Sequence, residues 1–109
     1  MNYNKLTDYE INCAVAEKLG YTVSPLNDKA CVIETISETG FPVVRYFDPC
    51  RDPREYMPLA IKHRIRIQWS LDGSNVFAGS YSQDIEYQLP KAQTGRAICE
   101  CFLMMEIDQ

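Results

Sequence analysis

Of the 109 residues, one is histidine, one is tryptophan and five are glycine. These scarcities exclude much chemistry before any motif is sought. The glycines, at 20, 40, 73, 79 and 95, are scattered, and none precedes a lysine–serine pair, so no phosphate-cradling loop is present. Zinc sites draw on closely spaced cysteines or histidines. Here the only close pair is Cys99-x-Cys101, and on a helix those side chains point about 200° apart. Buried apolar thiols are the expectation, with no metal and no cofactor. A basic excess is also missing. Lys and Arg number 11 against 15 Asp and Glu, a formal charge of −4, which disfavours non-specific binding to nucleic acid. No apolar run approaches the roughly 20 residues of a membrane span, and the polar opening MNYNKLTDYE does not read as a secretory leader. A cytoplasmic protein, its five cysteines free, is the expectation.

What is present describes a folded chain. The hydrophobic fraction is 46% and the aromatic fraction 11%, enough for one domain over residues 1–109 with a modest core and little room for a deep cleft. Thr7-Asp8-Tyr9-Glu10 is a capping box, Leu6 and Ile11 stand where a hydrophobic staple closes, and Gly20 supplies a stop. A helix is predicted over residues 8–19. Pro25, Asn27 and Asp28 mark a loop. Cys31–Ile36 and Val43–Phe47 read as two strands about the Ser37–Gly40 turn.

The stretch FDPCRDPREYMPLAIKHRIRIQW holds two prolines around Cys50 and then a helix start, with Asp52 as cap and Pro53 at the first position. Pro58 lies inside that helix, which is expected to end near His63. Ile65, Ile67, Trp69 and Leu71 alternate with Arg66, Gln68 and Ser70, a half-buried strand. Asp72-Gly73 is a hairpin signal, and Asn75–Tyr81 the return strand. The segment from Ser82 to Gln88 is polar and gives no clear period. Pro90–Glu106 is predicted as a last helix, apolar almost all round and therefore central. The order is α-β-β-α-β-β-α. The expected class is α+β, an antiparallel sheet with helices packed on one face.

No constellation for catalysis emerges. Cys50 and His63 are the residue types of a thiolate pair, but a helix roughly 15 Å long separates them. Cys50 packing under the corner and His63 at a helix C-terminus explain both. Asp52 and Glu55 are accounted for by capping, and Asp48 before Pro49 by a turn. No catalytic residue is assigned. Lys62, Arg64 and Arg66 form a small basic cluster, with Arg45, Arg51 and Arg54 as potential neighbours. Two readings stand. The cations close a helix and solvate a strand, or they form a patch for phosphate or an acidic partner, helped by Trp69 or Tyr46. The candidate partner-binding set is Arg45, Arg54, Lys62, Arg64, Arg66 and Trp69. Seven tyrosines are more than a small core can satisfy, so several must reach the surface.

Three separated blocks resemble the NinX-like proteins, small products of lambdoid phages and prophages. MNYNKLTDYEIN followed by AVAEKLG resembles their opening. FDPCRDPREYMPLAIKHRIRI resembles their proline turn, proline-bearing helix and Ile-x-Ile strand, and RAICECFLMME their C-terminal helix. Met57 departs from the tryptophan often found there, and Leu89-Pro90 from an Asn-Pro. The resemblance implies a phage accessory protein without assigned enzymatic activity and without catalytic residues to carry over. The functional expectation is a non-enzymatic binder of a host protein, with anti-defence inhibition (anti-CRISPR or anti-restriction) as one form. The alternative is a nucleic-acid-associated accessory factor using the basic cluster.

Overall fold

The computed structural model of the chain describes residues 5–24, 30–80, 86–90 and 93–105. Its elements run α1 (Asp8–Lys18), β1 (Thr22–Val23), β2 (Val32–Ile36), β3 (Pro42–Tyr46), α2 (Pro53–Lys62), β4 (Ile65–Trp69), β5 (Asn75–Ser80), β6 (Glu86–Pro90) and α3 (Thr94–Met104). This is the α+β order read from the sequence, with one short strand added to each half. The strands form two three-stranded antiparallel sheets, β1-β2-β3 and β4-β5-β6, where a single sheet was expected. The proline-bracketed corner and α2 come between β3 and β4, and β1 and β6 complete the hairpins on either side.

Local chemistry sets most boundaries. Thr7 Oγ1 accepts from the Glu10 N–H at 3.2 Å, and Glu10 Oε1 accepts from the Thr7 N–H at 3.1 Å. This is the predicted capping box, and α1 then buries Ile11, Asn12, Val15 and Ala16. Asp52 Oδ1 accepts from the Arg54 N–H at 3.0 Å and starts α2. Past the His63 cap, Arg64 takes φ +55, the left-handed conformation usually given to glycine after a helix. In the β4–β5 turn the Asp72 carboxylate accepts from Ser70 Oγ, Ser74 N–H and Ser74 Oγ at 2.6, 3.0 and 2.7 Å. These bonds, the Ser70 hydroxyl first, pull its pKa down to about 2.

α3 is the centre of the core, as its composition predicted. Ala97 to Phe102 are fully buried, and the helix packs on α1, α2, β4, β5 and β6. It is shorter than expected. Leu89 and Pro90 end β6, where Pro90 pairs with Asn75, and the helix begins only at Thr94. Glu106 lies outside the described residues. Gly95 allows the closest approach. A Cβ there would stand 2.4 Å from the Cys50 carbonyl oxygen and 2.6 Å from Tyr56 Cδ2, so the α3 start sits directly on the corner. Among the described residues no helix is long and apolar enough to cross a membrane.

Candidate functional site

The corner before α2 is held from α1. The Asn12 amide, buried on the apolar face of α1, accepts from the Cys50 N–H at 3.0 Å and donates to Asp48 Oδ1 at 2.9 Å. Asp8 anchors the same region, receiving Arg96 Nη1 at 2.8 Å and Arg51 Nε at 3.3 Å. Asn12 was not singled out from the sequence. Its signal was a polar residue on the same helical stripe as Ile11 and Val15.

Cys50 and His63 are kept apart. Cys50 is 3% exposed, and its thiol points to the Asp8 carbonyl at 3.9 Å. The His63 ring packs on Phe102 with centroids 4.7 Å apart. On α3, Gly95 touches Cys50 and Phe102 touches His63, seven residues or roughly 10 Å along the axis. Burial, then the cations Lys62 and Lys18, lowers the His63 pKa and holds the imidazole neutral. Burial pushes the Cys31 thiol up to about 12, with the Cys13 thiol adding to it, and Cys101 up to about 11. Cys99 is pushed well up by burial and by the neighbouring Cys50 thiol. These three are protonated at neutral pH and poor nucleophiles. Among the described residues, no three His, Cys, Asp or Glu side chains are grouped to hold a metal ion.

The candidate partner-binding residues fall into two groups. Arg54 and Lys62 line a groove along α2 whose floor is Phe47, Leu59 and His63, and Arg45 reaches it only through its partner Glu55, which is part of the lining. At about 160 Å³ it fits one side chain of a partner and is too small for a typical ligand, which takes at least about 300 Å³. Its cations are largely spent on their own neighbours. Arg45 is paired with Glu55 and lies 5.8 Å over the Phe47 ring. Arg54 grips the Asp52 carboxylate through Nε at 3.2 Å and Nη2 at 3.1 Å, and that guanidinium holds Asp52 below the usual carboxylate range. Arg64, Arg66 and Trp69 lie beyond the other end of α2. Strand alternation places Arg66 and Trp69 on opposite faces of β4, so they form no joint arginine–tryptophan patch. Trp69 is half exposed on the side of Ile65 and Ile67, which pack toward α3.

A second cavity, of about 480 Å³, opens between the α1 N-terminus and the corner. Its polar lining is mutually satisfied, since Asp8 and Asp48 already accept from Arg51, Arg96 and Asn12. This arrangement braces the corner and leaves no converging set of reactive groups.

The surface missed from the sequence is the first sheet. Register places Val32, Glu34, Ile36, Pro42, Val44 and Tyr46 on one face. That face looks to solvent: Ile36 is 72% exposed, Val44 58% and Tyr46 70%, and Phe41 at the hairpin tip is 69% exposed. Every residue of β3 is exposed. The β-branched composition was legible, but a strand with neither face covered looks identical in sequence to a buried one. Compared with protein-family models, curated proteins and solved structures, the chain finds no match.

Proposed function

We propose that this chain is a small non-enzymatic accessory protein of a phage or prophage that binds and modulates a host protein in the bacterial cytoplasm. The observation that carries the reading is the uncovered face of the first sheet, where Ile36, Val44 and Tyr46 are each more than half exposed, with Phe41 exposed beside it at the hairpin tip. Contiguous exposed apolar surface of this kind marks protein interaction sites. The resemblance to NinX-like proteins supplies the setting. The charge of −4 suits an inhibitor that competes for a basic channel of a defence complex by charge complementarity. The internal pairing of Arg45 with Glu55 and of Arg54 with Asp52 weighs against the nucleic-acid reading, because those cations are already neutralised.

The test is a tagged capture from bacterial lysate, with and without nuclease, using the wild type and two variants. A stoichiometric host protein that survives nuclease, is lost with Phe41→Ser/Tyr46→Ser and is kept with Lys62→Gln/Arg64→Gln is the expected result. Capture that disappears with nuclease or with the charge variant instead transfers the function to the basic residues. Capture indifferent to both variants removes the sheet face from the mechanism.

A further inference from the structure

The outer edge of β3 has a hydrogen-bonding pattern that fits a second copy of itself. Phe47 N–H bonds to the Cys31 carbonyl at 2.9 Å and Ser37 N–H to the Phe41 carbonyl at 2.8 Å. Odd-numbered residues of β3 therefore turn their amides toward β2, Val44 and Tyr46 turn theirs outward, and Pro42, which has no N–H, presents only its carbonyl there. β3 is the last strand of its sheet, so this edge has no strand beside it among the described residues.

We propose that two copies of the chain pair through β3, antiparallel and centred on Val44, to make one continuous six-stranded sheet about a two-fold axis. In that register Val44 faces Val44 of the other copy, and the two exchange both N–H···O=C bonds. Tyr46 N–H meets the carbonyl of Pro42 in the other copy, twice by symmetry. Pro42 has no N–H to return to the Tyr46 carbonyl, but that carbonyl is already contacted by Arg45 Nη1 of its own chain at 3.4 Å. The single donor missing from the edge therefore faces the single acceptor that has an internal partner. No like charges oppose each other. Arg45 comes level with Val43 of the other copy and keeps Glu55 in its own chain.

The side chains agree with the backbone. Val44 stacks on its own copy and Tyr46 on Pro42, an aromatic–proline contact on the exposed face. The apolar faces of both copies then run on into one surface, open on the same side. An exposed, apolar edge strand invites open-ended aggregation, and isologous pairing closes it. Phe41, Val44 and Tyr46, with the strand edge, supply on the order of 400 Å² per copy, below the roughly 600 Å² of the smaller stable interfaces. The dimer is accordingly weak and concentration-dependent. The inference stands on the edge geometry and does not depend on the host-binding reading.

Sedimentation of the purified full chain over a concentration series tests it without any host component. A reversible monomer–dimer equilibrium in the micromolar range is expected for the wild type. Val44→Lys opposes two ammonium groups at the axis and should raise the dissociation constant at least about tenfold. Val44→Pro removes the outward N–H and spares the β2 ladder, so it should have the same effect with native circular dichroism. A wild type that stays monomeric at about 200 µM overturns the proposal. So does a dimer untouched by Val44→Lys, or a series of larger assemblies in place of a closed pair.

Discussion

Glu100 is the least expected residue in the core. It is fully buried on α3, and among the described residues neither carboxylate oxygen has a hydrogen-bond partner. Arg96 Nε stands 3.5 Å from Oε2, an ion pair but not a hydrogen bond. The same guanidinium is committed to Asp8 and to the Leu6 carbonyl at 2.6 Å. Burial outweighs Arg96 and raises the Glu100 pKa above the usual glutamate value. From the unfolded value up to the raised one, the folded chain holds more protons than the unfolded chain. Stability contributed by this group therefore falls as pH rises through that window and levels off above it. Glu100→Gln keeps the shape and removes the charge. Urea melts should show the variant equal to wild type near pH 4 and more stable by about 1 kcal/mol at pH 8. A wild type that gains on the variant as pH rises would contradict this. The sequence hid the residue well, because an Arg and a Glu four apart on a helix read as a solvated surface pair.

At the scale of elements, the C-terminal end of α3 is finished by another part of the chain. Its N-cap, Gln93, makes no side-chain cap bond, and its last turn carries no basic residue. The carbonyls there are served from α1. Lys18 Nζ donates to the Phe102 carbonyl at 2.6 Å, to the Leu103 carbonyl at 3.3 Å and to the Met105 carbonyl, and it lies 4.7 Å over the Phe102 ring. A cation on the negative end of a helix dipole, with three carbonyl partners, is a favourable, charge-assisted cap. Lys18→Ala should cost about 2 kcal/mol in chemical denaturation, with Lys18→Arg recovering part of it. A loss under about 0.5 kcal/mol would mean water replaces the ammonium. The contrast between caps shows what a sequence discloses. Thr7–Glu10 and Asp52–Pro53 are local and were read directly, as was the Asp72–Gly73 hairpin. Lys18 acts across 84 residues and has no local signature. β6 was missed for a related reason. Its composition, EYQLP, does not favour a strand, and pairing with β5 decides it. The candidate site follows the same division. Alternation along β4 already separates Arg66 from Trp69, whereas the meeting of Arg45 with Glu55 needed the fold.

For the molecule as a whole, the two sheets are not equivalent. The second sheet lies against α3, and its central strand β5 buries Val76, Ala78, Gly79 and Ser80. The first sheet is tied in at its base by Cys31, Ile33 and Phe47 and then runs out into solvent from Glu34 through Tyr46, with only Thr35 and Ser37 half-buried on the way. The chain is correspondingly elongated, 46 × 30 × 25 Å. Few apolar contacts hold the outer hairpin, so its hydrogen bonds should open without unfolding the core. Amide exchange at low protein concentration should separate the two. Thr35 and Val43, bonded within the hairpin, should exchange at least about 100-fold faster than Val76 and Ala78, which open only on global unfolding. Val44 and Tyr46, facing outward, should be nearly unprotected there and gain protection as concentration rises into the range where β3 pairs. Equal protection of hairpin and β5 would mean that the molecule unfolds as one unit, and that the projecting face is as rigid as the core it grows from.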